Sequence, residues 1–103
     1  MNFYVFACKL NSNLIDKGYK LEVGNNIRYY LLNGRPFFFI DYVNQYISYR
    51  SNYFSTTWGN MDWTGFYDKP NFDLVNDSSN NIIKEYKNQL YTEKIEQIKK
   101  DFV

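Results

Sequence analysis

Residues Ile27 to Ile40 read IRYYLLNGRPFFFI, two runs of aliphatic and aromatic residues separated by Asn33-Gly34. Asn-Gly supplies the two positive φ angles of a type I′ turn, whose twist matches that of paired strands. The stretch predicts a two-residue hairpin with arms Ile27–Leu32 and Arg35–Ile40. Pro36 has no N–H to give to a ladder, so it is expected to face outward or to lie at a sheet edge.

N-terminal to this hairpin, Asn2–Leu10 is apolar at both alternating sets of positions, Phe3, Val5 and Ala7 against Tyr4, Phe6, Cys8 and Leu10. That is the pattern of an interior strand covered on both faces. Asn11–Gly18 carries turn residues with a helical turn at Leu14 and Ile15, and Tyr19–Val23 reads as a second strand closed by Gly24-Asn25-Asn26. C-terminal to the hairpin, Asp41 suits an N-cap, and Val43, Tyr46 and Ile47 share a helical face. A short middle helix is expected there, although Val43, Gln45, Ile47 and Tyr49 also alternate as a strand would.

Asn52–Trp58 reads as a further strand, and Gly59–Asn76, rich in Gly, Asp, Asn and Pro, as a long loop with room for one short strand. A final helix is expected from Asp77, Ser78 or Ser79 to about Phe102, with Ile82, Tyr86 and Leu90 leading into Tyr91, Ile95, Ile98 and Phe102 at helical spacing. Together these readings predict an α+β fold: an antiparallel sheet of four or five strands packed against a long C-terminal helix, with a short middle helix. A chain of 103 residues has the size of one domain, so 1–103 is read as a single unit.

The function classes excluded are clearer than the one included. The chain has no histidine, which removes Ser-His-Asp and Cys-His catalysis, the common zinc ligand sets and histidine pH switches. Its five glycines are scattered and form no phosphate-binding loop. No metal site and no cofactor is expected, and the protein is read as a non-enzyme. Asp62, Asp68 and Asp73 could be imagined as a carboxylate or cation site, but their spacing fits no calcium loop, and loops favour Asp for turn formation. The lone Cys8 cannot form an internal disulfide and sits in an apolar run, so it reads as a core residue. The net charge of +1 suits neither a polyanion mimic nor a basic nucleic-acid coat. Met1 to Leu10 is too short and mixed for a signal peptide, and no apolar run is long enough to cross a membrane. The expected location is the cytoplasm, the host cytosol if the gene is phage-borne.

The residues singled out for function lie in Trp58-Gly-Asn-Met-Asp-Trp-Thr-Gly-Phe-Tyr67, which gathers both tryptophans of the chain. Trp58, Met61, Trp63, Phe66 and Tyr67 are the expected partner-binding set, because exposed Trp and Tyr on a loop suit a protein hot spot. The opposing reading tucks Trp58 and Trp63 inward under the loop. A second set, Arg28, Arg35, Tyr49 and Arg50, interleaves cations with rings in the way nucleic-acid contact uses them.

Ile27–Asn52 resembles the opening of the Bro-N domain of viral and phage antirepressor proteins, in which a hairpin ending in Gly-x-Pro-aromatic-Phe leads into a helix. Arg28, Gly34, Pro36, Phe38, Val43, Ile47, Tyr49 and Asn52 fall where that pattern has similar residues; its helix-opening aspartate falls on Tyr42 and its glycine on Ser48. The resemblance implies DNA binding. Usage rich in Asn, Lys, Ile, Tyr and Phe, with one alanine and three arginines, is that of AT-rich coding, as in phages and mobile elements. The leading expectation is a non-catalytic phage or mobile-element inhibitor, of the anti-CRISPR or anti-defence kind, that occludes a host protein or ribonucleoprotein complex. A Bro-N-like DNA-binding regulator and a carbohydrate-binding module using the aromatic loop are the alternatives, and the C-terminal helix is the expected surface for a homodimer.

Overall fold

The computed structural model of the chain describes residues 2–63 and 69–101. Its elements are α1 (Phe3–Asp16), β1 (Lys20–Val23), β2 (Ile27–Leu32), β3 (Arg35–Asp41), β4 (Tyr46–Tyr49), β5 (Gly59–Asp62) and α2 (Phe72–Asp101). The five strands form one antiparallel sheet in chain order, β1-β2-β3-β4-β5. The α+β class and the C-terminal helix are as the sequence predicts.

The hairpin forms as read. Asn33 and Gly34 take φ of 54° and 74°, and β2 pairs with β3 from Ile27↔Asp41 to Leu32↔Arg35. Tyr30 lies opposite Phe38 while Leu31 lies opposite Pro36, so Phe37 is the extra residue of a β-bulge. A bulge turns two successive side chains toward one side, which is how Phe37 and Phe38 are both fully buried. Pro36 sits in an interior strand, beside this bulge and past the last β4 pair. A missing N–H is tolerated there.

Asn2–Leu10 is not a strand. It is the first part of α1, and the buried residues Phe3, Phe6, Ala7, Leu10 and Leu14 recur at helical spacing. The side chain of Asn2 accepts the N–H of Val5, as an N-cap does. At the other end Gly18 adopts φ of 97°, Gly18 N donates to Ile15 O, and Tyr19 N donates to Leu14 O. This pair of bonds closes a helix C-terminus on a glycine. The run has the look of a strand because Tyr4, Val5 and Cys8, all exposed, fill the outer face of the helix and hide its period. Cys8, expected in the core, is therefore on the surface.

The middle helix is also absent: among the described residues none lies between α1 and α2. Asp41 accepts the N–H groups of Val43 and Asn44, as an N-cap would, but Gln45 takes φ of 52° and turns the chain back into β4. The alternation of Ile47 and Tyr49 on the buried face was the correct pattern. The hairpin-into-helix feature of the Bro-N pattern is thus a hairpin followed by a third strand. Asn52–Trp58 is not a strand but an irregular segment, tied by Phe54 N to Asn52 Oδ1 and by Ser55 N to Asn52 O. The short strand that the Gly59–Asn76 stretch had room for forms at its start, as β5, and α2 begins earlier than expected, at Phe72.

Both helices cover the same face of the sheet. The core joins Phe3, Phe6, Leu10 and Leu14 of α1 and Val75 and Ile82 of α2 to Tyr30, Phe38, Ile40, Ile47 and Met61. Polar links tie the layers together: Tyr30 Oη donates to Asn11 Oδ1, Tyr19 Oη to Ser79 O in a buried bond, and Lys17 Nζ to Asn76 Oδ1 and Ser79 Oγ. The Lys17 ammonium has its pKa lowered by burial, partly offset by the charge of Asp77. Buried positions of α2 are confined to its N-terminal part, Val75, Ser78, Ser79 and Ile82. Farther along, Leu90, Tyr91 and Ile98 are exposed.

Candidate aromatic and arginine surface

Because side chains alternate across a strand, the register assigns the second face of the sheet. Glu22, Tyr29, Phe39, Ser48 and Asn60 stand in one cross-strand row, and Ile27, Asp41, Tyr46 and Asp62 in the next. Tyr29, Phe39 and Tyr46 are half-buried, and both tyrosines touch Phe39. The Phe39 ring centre lies 5.9 Å from Tyr29, 5.9 Å from Tyr46 and 5.2 Å from Trp58, with interplanar angles of 45°, 75° and 63°. Ser48 Oγ donates to Asn60 Oδ1 at the centre of this face. Among the described residues, neither helix crosses it.

At the hairpin end this strip meets two arginines. The Arg50 guanidinium lies 4.6 Å from the Trp58 ring centre and 5.6 Å from that of Phe37. Arg35 lies 5.2 Å from Phe37 and 5.1 Å from Tyr53, whose ring stacks on Phe37 at 5.5 Å and 22°. Nη1 of Arg50 donates to Ser55 O, whereas its Nε is buried with no acceptor. An unmet buried donor costs about 1–3 kcal/mol. Burial and the charge of Arg35 both lower the Arg50 pKa, although a guanidinium stays charged at any physiological pH.

The structure separates the residues that sequence reading had grouped. Trp58 is on the aromatic strip. Met61 is fully buried in the core, out of a partner's reach. Trp63 tucks inward, with ring centres 5.2 Å from Phe3 and 5.0 Å from Phe6. Phe66, Tyr67 and Asp68 lie outside the described residues. Of the arginine set, Arg35 and Arg50 come together. Arg28 is at the far end of β2, over Tyr42 at 5.5 Å, beside a pocket of about 270 Å³ lined also by Val23, Gly24, Asn26 and Ile27. Tyr49 faces the core, against Gly59. Asp62 is buried on β5 and Asp73 exposed on α2, and no cluster of acidic or thiol side chains suited to a metal occurs among the described residues.

Phe39 and Tyr46 are not singled out by the sequence, because alternating aromatics in a strand read equally well as core; of the rings interleaved with the arginines, Tyr29 lies on this face while Tyr30 and Tyr49 face the core. In comparison with known proteins, no family model matches the chain, and no curated protein or solved structure matches it significantly.

Proposed function

We propose that this protein is a non-catalytic inhibitor or adaptor that occludes a partner protein with the aromatic face of its sheet, in the manner of small phage or mobile-element inhibitors of host defence. The observation that carries the reading is the one-sided packing. Both helices lie on one face, while the other presents Tyr29, Tyr46 and Trp58 around Phe39, with Arg50 against Trp58 at one end. Trp, Tyr and Arg are the side chains in which protein interfaces concentrate their binding energy.

Two features favour a protein over nucleic acid or sugar. The rings meet at 45° to 75°, so they offer no row of parallel faces on which bases or sugars stack. The exposed side chain of Glu22 stands in the same cross-strand row as Tyr29 and Phe39, where a phosphate backbone would meet it unfavourably. No helix among the described residues is long and apolar enough to cross a membrane.

The test is site-specific photo-crosslinking in cells of a plausible host, with the photoreactive residue at Tyr29 or Phe39 and, as control, at Lys84 on α2. A protein crosslinked from the sheet face and not from the helix supports the proposal. Equal crosslinking from both positions, or nucleic acid in place of protein, overturns it.

A further inference from the structure

Arg35 and Arg50 share the Phe37 ring, at 5.2 and 5.6 Å from its centre, and among the described residues neither forms an ion pair with a carboxylate. Glu85, the acidic side chain that touches this cluster, accepts the N–H of Tyr53 instead. Arg50 uses Nη1 on Ser55 O and its Nε is buried, so Nη2 is the donor this guanidinium has left to offer a carboxylate from outside, beside the guanidinium of Arg35. The Trp58 ring lies against the same guanidinium. A planar, weakly hydrated cation held by rings is suited to pairing at an interface where water is expelled.

We propose that Arg35 and Arg50 form a carboxylate-binding site that takes an acidic segment of the partner protein, anchoring it beside the aromatic strip. This rests on the reading of the sheet face as a protein contact and names the partner's chemistry. Two cations are few for a polyanion, whose binding scales with the number of phosphates neutralised, but they match a local pair of Asp or Glu side chains.

The chain contains three arginines, so an ¹H–¹⁵N spectrum of their Nε–H groups resolves Arg28, Arg35 and Arg50 individually. Titration with a hexaglutamate peptide at constant ionic strength is expected to shift the Arg35 and Arg50 signals saturably and leave Arg28 in place. The Arg50→Gln variant is expected to raise the half-saturation concentration at least tenfold. Signals that stay still, or that all drift together, overturn the site. A twelve-residue oligo(dT) that saturates below the peptide's concentration overturns the assignment to a protein acid. The titration uses no partner, so a failed titration alongside successful crosslinking removes the carboxylate site while the sheet face stands.

Discussion

The Arg50 guanidinium rests 4.6 Å from the centre of the Trp58 ring, while Trp63, five residues on, has its ring between Phe3 and Phe6 of α1. The two tryptophans face opposite sides of the sheet, and their substitutions should differ in kind.

Trp58→Ala is expected to leave the unfolding midpoint nearly unchanged and to weaken partner binding by at least about tenfold, about 1.4 kcal/mol. Trp63→Ala should destabilise the fold by about 2–4 kcal/mol, as a truncated core aromatic does. Urea unfolding of both variants, together with partner capture by the first, checks the pair. A folded Trp58→Ala protein that binds as well as the parent would take Trp58 out of the contact.

Gly59 is required for space. A Cβ there would stand 2.6 Å from Cζ of Tyr49, which is itself buried. Gly59→Ala should therefore cost about 1–3 kcal/mol through overpacking, whereas Gly24→Ala, with its nearest neighbours at 3.5 Å, should cost less. Equal midpoints in urea would contradict the close approach.

Stability should fall on the alkaline side. Burial raises the Tyr19 hydroxyl well above its ordinary range and pushes Tyr30 up to about 12. Their folded-state values exceed the unfolded value near 10, so the stabilisation is complete below about pH 10 and is lost as pH climbs toward 12. Lys17, shifted downward by burial, acts with the opposite sign. Urea midpoints at pH 8 and pH 11 should show the drop, and Tyr19→Phe should reduce it. A flat profile would mean that these hydroxyls ionise in the folded state.

Deleting residues 90–103 should change stability by less than about 1 kcal/mol, because the buried side chains of α2 end at Ile82 and a helix of that length is marginal alone. Exposed Leu90, Tyr91 and Ile98 are suited to a second copy. Sedimentation equilibrium is expected to show weak self-association of the full chain that the deletion abolishes. A full chain that stays monomeric at high concentration would exclude that pairing.

The legible parts of this molecule were those whose physics is local. Asn33-Gly34 specifies its turn through the φ angles of two residues, and the C-terminal helix announces itself over many turns, whatever it packs on. Asp41 shows the limit of such reasoning: its carboxylate does accept the following N–H groups, yet a helix start and a tight turn make the same demand. Phe3–Leu10 failed for a related reason, since an unbroken apolar run carries no period until a neighbour buries one face.

For the candidate site, the sequence by itself determined that histidine chemistry is absent, that aromatics abound, and that Trp58 and three arginines are candidates for contact. Only the tertiary structure decided which of them meet. The helices settle on one side of the sheet, and strand alternation then sends Tyr49 and Met61 inward and Tyr29, Phe39 and Tyr46 outward. The chain's return through Tyr53–Trp58 brings Arg50 to Arg35 across the Phe37 ring. Such placements depend on pairings between distant strands, where a shift of one residue exchanges the faces, and no local pattern in the chain records them.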